Sequence, residues 1–563
     1  MALASRARRP LTRLAAAAAA TVLLLSGCTD AGGGTGANGA SDGGSSSSSA
    51  DGGDTGTQDD QGTQDDQGTQ DDQSAGPALQ EVGESAAMGI DGDPASDPAY
   101  ETYYSQQIQW GACEGIEVDG AECGTITVPL QWNDPGAGDI DIAVGRIAAT
   151  GRSEGSLVIN PGGPGGSGVN FLESVPYLIS QGVRAQYDMV GFDPRGVNRS
   201  APVECLDDAE TDEYLAATGE PGSEDGDALA EEWGTRVVEA CEANSGDVLP
   251  YVDTYSAARD MDVLRAALGS EQLDYLGYSY GTYLGASYAD LYPERVGHFV
   301  LDGALDPSIS MNEFSAGQAE GFEHATDAFV ADCLNAGEEC PLRGNAAEAK
   351  QQLLNFFAGV DESPLTTTDP DRLLTGALAR SAFLVLLYED SLWQMGREAL
   401  SSAMSGDGAP LLNIADLSSE RSADGTYRTN ATFAISAVNC LDHPGVADEQ
   451  WVEQEAERLA ELYPTFGPML GGQGCALWPE EPVREPAPIS AEGAGPIVVI
   501  GTTGDPATPY QWSESLASQL DDAVLLTHQG NGHTAYGRSG GCIEEQVDAY
   551  LLQDTVPEDG FTC

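Results

Sequence analysis

The stretch LDYLGYSYGTYLG, residues 273–285, passes from a short β-prone run into helical spacing with only Gly277-Tyr278-Ser279-Tyr280-Gly281 between them. Tyr283, Leu284, Ala286, Tyr288 and Leu291 recur at the period of one helix face, and Pro293 stops that helix. Ser279 therefore sits on a strand-to-helix turn. Glycines flank it because so sharp a turn brings backbones too close for side chains. The pattern G-x-S-x-G occurs twice more, as GRSEG at 151–155 and GRSGG at 537–541. Neither Ser153 nor Ser539 has a strand on one side and a helix on the other, so the context selects Ser279.

The same alternation runs through much of the chain. GTITVPL and DIAVGRIAA read as an antiparallel pair, and SLVIN and YDMVGFD as buried strands. SAARDMDVLRAALG is an amphipathic helix, and VGHFVLDG is the strand after the Ser279 unit. Strand signals then lapse until GPIVVIGTTGD at 495–505 and DAVLLTHQGNGH at 522–533. The class this predicts is α/β with a mainly parallel sheet. A helix-rich insertion, 307–490, between the sixth and seventh strands would cap the sheet's carboxyl edge, where α/β sites lie. The core parts flanking it are expected at 99–306 and 491–563.

Residues 1–27 read as a signal peptide: Arg6, Arg8, Arg9 and Arg13 precede an apolar run from Leu14 to Leu25, too short to span a bilayer. LSGC, ending at Cys28, resembles a bacterial lipobox, which implies a lipid on the Cys28 sulfur and a cell-membrane anchor. The Arg8-Arg9 pair leaves Sec and Tat export both open. Residues 28–98 lack any apolar period and carry three tandem copies of GTQDDQ, so they are expected to form a disordered acidic tether. About 70 such residues reach roughly 45 Å r.m.s..

The formal net charge of the 563-residue chain is −68, and Lys350 is its single lysine. Such a surface repels nucleic acid and anionic head groups, which excludes nucleic-acid binding and leaves the Cys28 lipid as the expected membrane contact. Setting Cys28 aside leaves ten of the 11 cysteines, an even number in an exported chain. Sequence proximity pairs Cys113–Cys123, Cys205–Cys241, Cys333–Cys340, Cys440–Cys475 and Cys542–Cys563. No C-x-x-C or H-E-x-x-H spacing supports zinc, and no metal or cofactor is expected.

A serine hydroxyl is a poor nucleophile until a base takes its proton. The chain has five histidines: His298, His324, His443, His528 and His533. His533 follows the apolar run LLTH on a Gly-Asn-Gly loop, the place a catalytic histidine needs; His528 falls within that strand. The acid should follow the preceding strand, and IVVIGTTGDPATP presents Asp505 there. Asp302, one strand earlier, is its rival. VINPGGPGGSG follows an upstream strand and exposes backbone N–H groups to a developing oxyanion. Gly163 and Tyr280 are the expected donors. A phosphate-binding reading of this loop lacks G-K-[ST].

NPGGPGGSG, YDMVGFDPRGVNRSAP, GYSYGTYLGASYADLYPERV, LDGALDP, GDPATP and GNGHT together resemble actinobacterial tripeptidyl aminopeptidase-type α/β-hydrolases, relatives of proline iminopeptidase. The resemblance runs from Trp110 to Cys563, and SAVNCLDHP and CALWP are similar to the family's TAP-like C-terminal segment. It implies a serine exopeptidase that releases short peptides from a free N-terminus, with a cap that excludes longer extensions. Such an enzyme needs an anion for the substrate ammonium, and Asp442 in NCLDHP is the candidate. A carboxylesterase would use the same triad, and a substrate-binding lipoprotein would share the anchor and tether. Oligomeric state, and the choice between tripeptide, dipeptide and single-residue release, are not written in the sequence.

Overall fold

A computed structural model describes residues 77–563 other than 84, 91, 218, 220–222, 471–474 and 476. Cys28, the signal segment and most of the expected tether lie outside the described residues. Among the described residues, ten strands form one sheet: β1 (Gly111–Ala112), β2 (Ala121–Pro129), β3 (Asp139–Ile147), β4 (Gly155–Asn160), β5 (Tyr187–Phe192), β6 (Leu273–Tyr278), β7 (Val296–Asp302), β8 (Ile497–Gly504), β9 (Ala523–Asn531) and β10 (Phe561–Thr562). Their spatial order is β1-β2-β3-β5-β4-β6-β7-β8-β9-β10. The β1–β2, β2–β3 and β3–β5 pairs are antiparallel and the rest are parallel.

The central strands are apolar without alternation because both sheet faces are covered. On one face Tyr275, Phe299 and Val499 pack with Tyr288 and Leu516. On the other, Leu276, Val300 and Val498 pack with Ile543, Val547 and Tyr550. The chain leaves β4 for β5 on one side and later enters β6 on the other, so β4 is a switch point. Asn160 at its end lies beside Gly277, and Tyr278 lies beside Asp302. Loops after β4, β6, β7, β8 and β9 thus meet at one carboxyl edge, where such sheets bind ligands.

Among the described residues, seven helices of ten residues or more lie between β7 and β8: Met311–Asn335, Ala346–Glu362, Gly376–Leu386, Trp393–Met404, Ala409–Ser418, Ala431–Asp442 and Glu449–Leu462. They have a core of their own, containing Phe329, Phe357, Phe383 and Trp393. The insertion follows the seventh strand rather than the sixth because the two-residue β1 adds one to the count. Two further helices, Asp208–Ala216 and Glu224–Ser245, follow β5 and went unread in the sequence. Their charge-rich turns blur the apolar period, and Cys205–Cys241 ties them to the loop before them. The other four cysteine pairs are bonded as Cys113–Cys123, Cys333–Cys340, Cys440–Cys475 and Cys542–Cys563.

The tether boundary at 98 needs correction, because residues 78–98 belong to the folded body. Leu79 bridges Val446, and Gln80 N–H donates to the Gly445 carbonyl at 2.8 Å. Ala86 and Ala87 are buried, Ser85 Oγ donates to Asp253 at 3.0 Å, and Arg259 Nε donates to the Ala87 carbonyl at 2.7 Å. Small residues that fill a gap between larger elements leave no periodic signal, so this stretch read as tether.

Candidate active site

The turn after β6 is built by close approach. A side chain at Gly277 would lie 2.4 Å from the Gly281 carbonyl, and one at Gly281 would lie 2.9 Å from Asn160 Oδ1. Ser279 is half-buried, with φ 55° and ψ −125°, and it caps the helix Tyr280–Leu291. A non-glycine residue held at such angles stores about 1–3 kcal/mol, which the surroundings must over-determine. Ser279 N–H donates to the Asp302 carbonyl at 2.9 Å, and its own carbonyl accepts from Thr282 N–H at 2.8 Å and Oγ1 at 2.6 Å.

The loop after β4 presses against this turn. Gly162 has φ 93°, and a side chain there would lie 2.8 Å from Ser279 Cβ and 3.1 Å from Tyr280 N. Its N–H is spent on Asn160 Oδ1 at 2.9 Å. Among the described residues, no hydrogen bond uses the N–H of Gly163 or of Tyr280. The DPRG stretch after β5 buttresses this loop: Asp193 accepts from Ser167 Oγ at 2.5 Å and Val169 N–H at 3.1 Å, and pairs with Arg199 at 3.1 Å. Burial raises the Asp193 carboxyl above its ordinary range, against these bonds and the Arg199 charge.

Asp505 and His533 meet at the same edge. His533 is 2% exposed, and its Nδ1 lies 2.9 Å from both Asp505 oxygens. Asp505 also accepts from the N–H groups of Ala507, Thr508 and Thr534 and from Thr508 Oγ1, at 2.9–3.1 Å. A carboxylate so supplied fixes the Nδ1–H tautomer of His533 and leaves Nε2 as the free basic nitrogen. Among the described residues, no atom bonds that Nε2. Tyr388 orients the ring from the cap: its carbonyl accepts His533 N–H at 2.8 Å, and the two rings cross at 88°. Thr508, 3.2 Å from Nδ1, was missed in the sequence because a lone Thr in a turn carries no signal.

Asp302, the rival acid, does not touch the imidazole. Its carboxylate is fully buried and accepts from Ala535 N–H at 3.0 Å and Tyr536 N–H at 2.7 Å, in the chain just after His533. Burial pushes it up to about 7, against the pull of those N–H bonds. Since its carbonyl holds Ser279, one residue ties the serine turn to the histidine loop.

Asp442 is also placed differently from the expectation. It is 3% exposed, and Thr254 takes both its oxygens, through N–H at 2.9 Å and Oγ1 at 2.5 Å. It caps the helix Thr254–Leu268 beside that helix's own cap, Asp253, and both carboxylates gain from the helix dipole. Burial and then the Asp253 charge push Asp442 up to about 7. A carboxylate committed in this way does not face a substrate. Of the other histidines, His298 bridges Asp274 and Asp554 at 3.0 and 2.9 Å, His443 is buried at the end of the cap helix Ala431–Asp442, and His324 is exposed. Ser153 and Ser539 are engaged with Gly155 and Glu544 respectively. The described residues contain no group of His, Cys, Asp and Glu able to hold a metal.

What this fold and this edge define as a class is a serine hydrolase. A family model described as "TAP-like protein" matches residues 463–563. Serine protease Hip1 of Mycobacterium tuberculosis is 38% identical over 483 residues, 82% of this chain and 92% of that protein. Carboxylesterase B of the same species is 37% identical over 475 residues, 81% and 90% of the two chains. The tripeptidyl aminopeptidase of Streptomyces lividans is 34% identical over 457 residues, 78% and 83% of the two. With relatives this similar over most of its length, the chain belongs to the TAP-like serine hydrolases of the α/β-hydrolase fold.

Proposed function

We propose that this protein is an extracytoplasmic serine exopeptidase, lipid-anchored through Cys28, that releases short peptides, tripeptides first among them, from a free N-terminus. The observation that carries the reading is the pairing of His533 Nδ1 with both Asp505 oxygens at the edge that also presents Ser279. Five disulfides support an oxidising compartment. Among the described residues no helix is long and apolar enough to cross a membrane.

In this mechanism Ser279 Oγ attacks the scissile carbonyl as His533 Nε2 takes its proton. The N–H groups of Gly163 and Tyr280 receive the oxyanion, and the dipole of the helix Tyr280–Leu291 adds to them. Asp505 stabilises the imidazolium, which then protonates the leaving amine. Water, activated by the same nitrogen, releases the acyl group.

A fluorophosphonate is expected to label Ser279 alone. Ser279→Ala and His533→Ala should each cost several orders of magnitude in kcat, with the double variant little worse than either. Label on Ser153 or Ser539, or an active Ser279→Ala enzyme, overturns the assignment. Likeness to carboxylesterase B favours a second reading, an esterase with the same triad. Turnover of a short-chain ester without turnover of any free tripeptide anilide would select it.

A further inference from the structure

With Asp442 committed to Thr254, the carboxylate that meets a substrate ammonium must lie elsewhere. A cavity of about 370 Å³ opens on the loop after β4, at the lower end of the roughly 300–1,000 Å³ of small-ligand sites. One wall is Gly162 and Gly163, of which Gly162 packs against the Ser279 turn. Asn170, Phe171 and Leu215 add to the lining, and the cap contributes apolar Leu378, Ala415 and Ile435. Two polar groups in this lining are unusual.

The first is Glu420, which follows the helix Ala409–Ser418 with φ 54°, where a glycine would sit without strain. Its carboxylate receives the Thr429 hydroxyl at 3.2 Å and belongs to no ion pair among the described residues. Arg428, whose charge acts on it, spends its guanidinium on Glu173 at 3.0 Å. The second is Asn170, which is 7% exposed. Arg199 fixes its amide by donating to Oδ1 at 2.9 Å, and its buried Nδ2 has no acceptor among the described residues. A pocket beside the oxyanion loop thus holds one carboxylate that forms no ion pair among the described residues, its nearby cation Arg428 being paired with Glu173 instead. A larger cavity of about 440 Å³, at 201–204 and 242–248, touches no residue of the β4 loop.

We propose that this pocket seats the N-terminal residues of a peptide substrate, with Glu420 as the counter-ion of its α-ammonium. The proposal rests on the exopeptidase reading. It adds a preference for small or apolar side chains near the substrate N-terminus, set by Leu378, Ala415 and Ile435.

The test compares free and N-acetylated tripeptide p-nitroanilides, with p-nitrophenyl acetate as a reporter of the folded triad. In Glu420→Gln, kcat/KM for free peptides should fall about 10–100-fold, mostly through KM. Acetylated peptides and the ester should change little, and Glu420→Asp should recover part of the loss. Glu420→Gly relieves the positive φ and is expected to fold at least as well while losing the same discrimination. If wild-type enzyme cuts acetylated peptides as fast as free ones, the exopeptidase reading fails and this proposal with it. If the wild type discriminates and the Glu420 variants discriminate equally, the proposal alone is overturned. An equal loss for all three substrates in both Glu420→Gln and Glu420→Gly also overturns it, since that marks a structural residue.

Discussion

Two buried carboxylates that read as catalytic or substrate-binding candidates, Asp302 and Asp442, hold backbone together instead. Asp442 offers a clear test of what that costs. Its carboxyl is pushed up to about 7 in the folded protein, against about 4 in an unfolded chain. The folded state therefore keeps the proton more tightly than the unfolded state. Its contribution is fully present below about pH 4 and is lost as pH rises through about 7. Asp442→Asn has no such proton to lose. Relative to wild type, its unfolding free energy should improve between pH 4 and 7, by at most about 4 kcal/mol. Urea unfolding at several pH values with disulfides intact measures it; a difference that does not vary with pH would contradict the assignment. His443 acts with the opposite sign in both proteins, since burial lowers it to about 4, so the comparison between variants cancels it.

At the scale of elements, the cap stands as a separate layer with its own aromatic centre. Phe329 and Phe383 cross at 87° with centroids 5.1 Å apart, and Phe383 also stacks on Phe466 at 9°. Phe383→Ala leaves a void there and should cost about 3–5 kcal/mol of stability. A shift of the urea midpoint smaller than that of an exposed-site control would show that the cap core does not bear this load. Legibility in the sequence followed locality. The Ser279 turn could be read because the strand, the glycines and the helix face are contiguous. Asp505 and His533 could be read because each follows an apolar run and a glycine. The burial of Asp442 could not, because its partner Thr254 is 188 positions away. Glu420 was hidden as one acid among 91 acidic residues, at a positive φ that no glycine announced. The helices after β5 were hidden by charge, with the cap residue Phe433 stacking on Tyr214 at 6.3 Å only once the fold has formed.

For the whole molecule, the anchor and the catalytic body are proposed to be separable functions. Cys28→Ser should release the protein into the medium with unchanged kcat and KM on soluble peptides, as fractionation and assay of both compartments would show. Retention of that variant in the membrane fraction would point to a different anchor. The segment at 78–80 gives this attachment a mechanical side. Its backbone is paired with 445–447, through Ala447 N–H to the Ala78 carbonyl at 2.9 Å and Gln80 N–H to the Gly445 carbonyl at 2.8 Å. Those cap residues come directly after the helix that ends in Asp442. Tension drawn along the leash would therefore load the roof over the cleft before it reached the sheet.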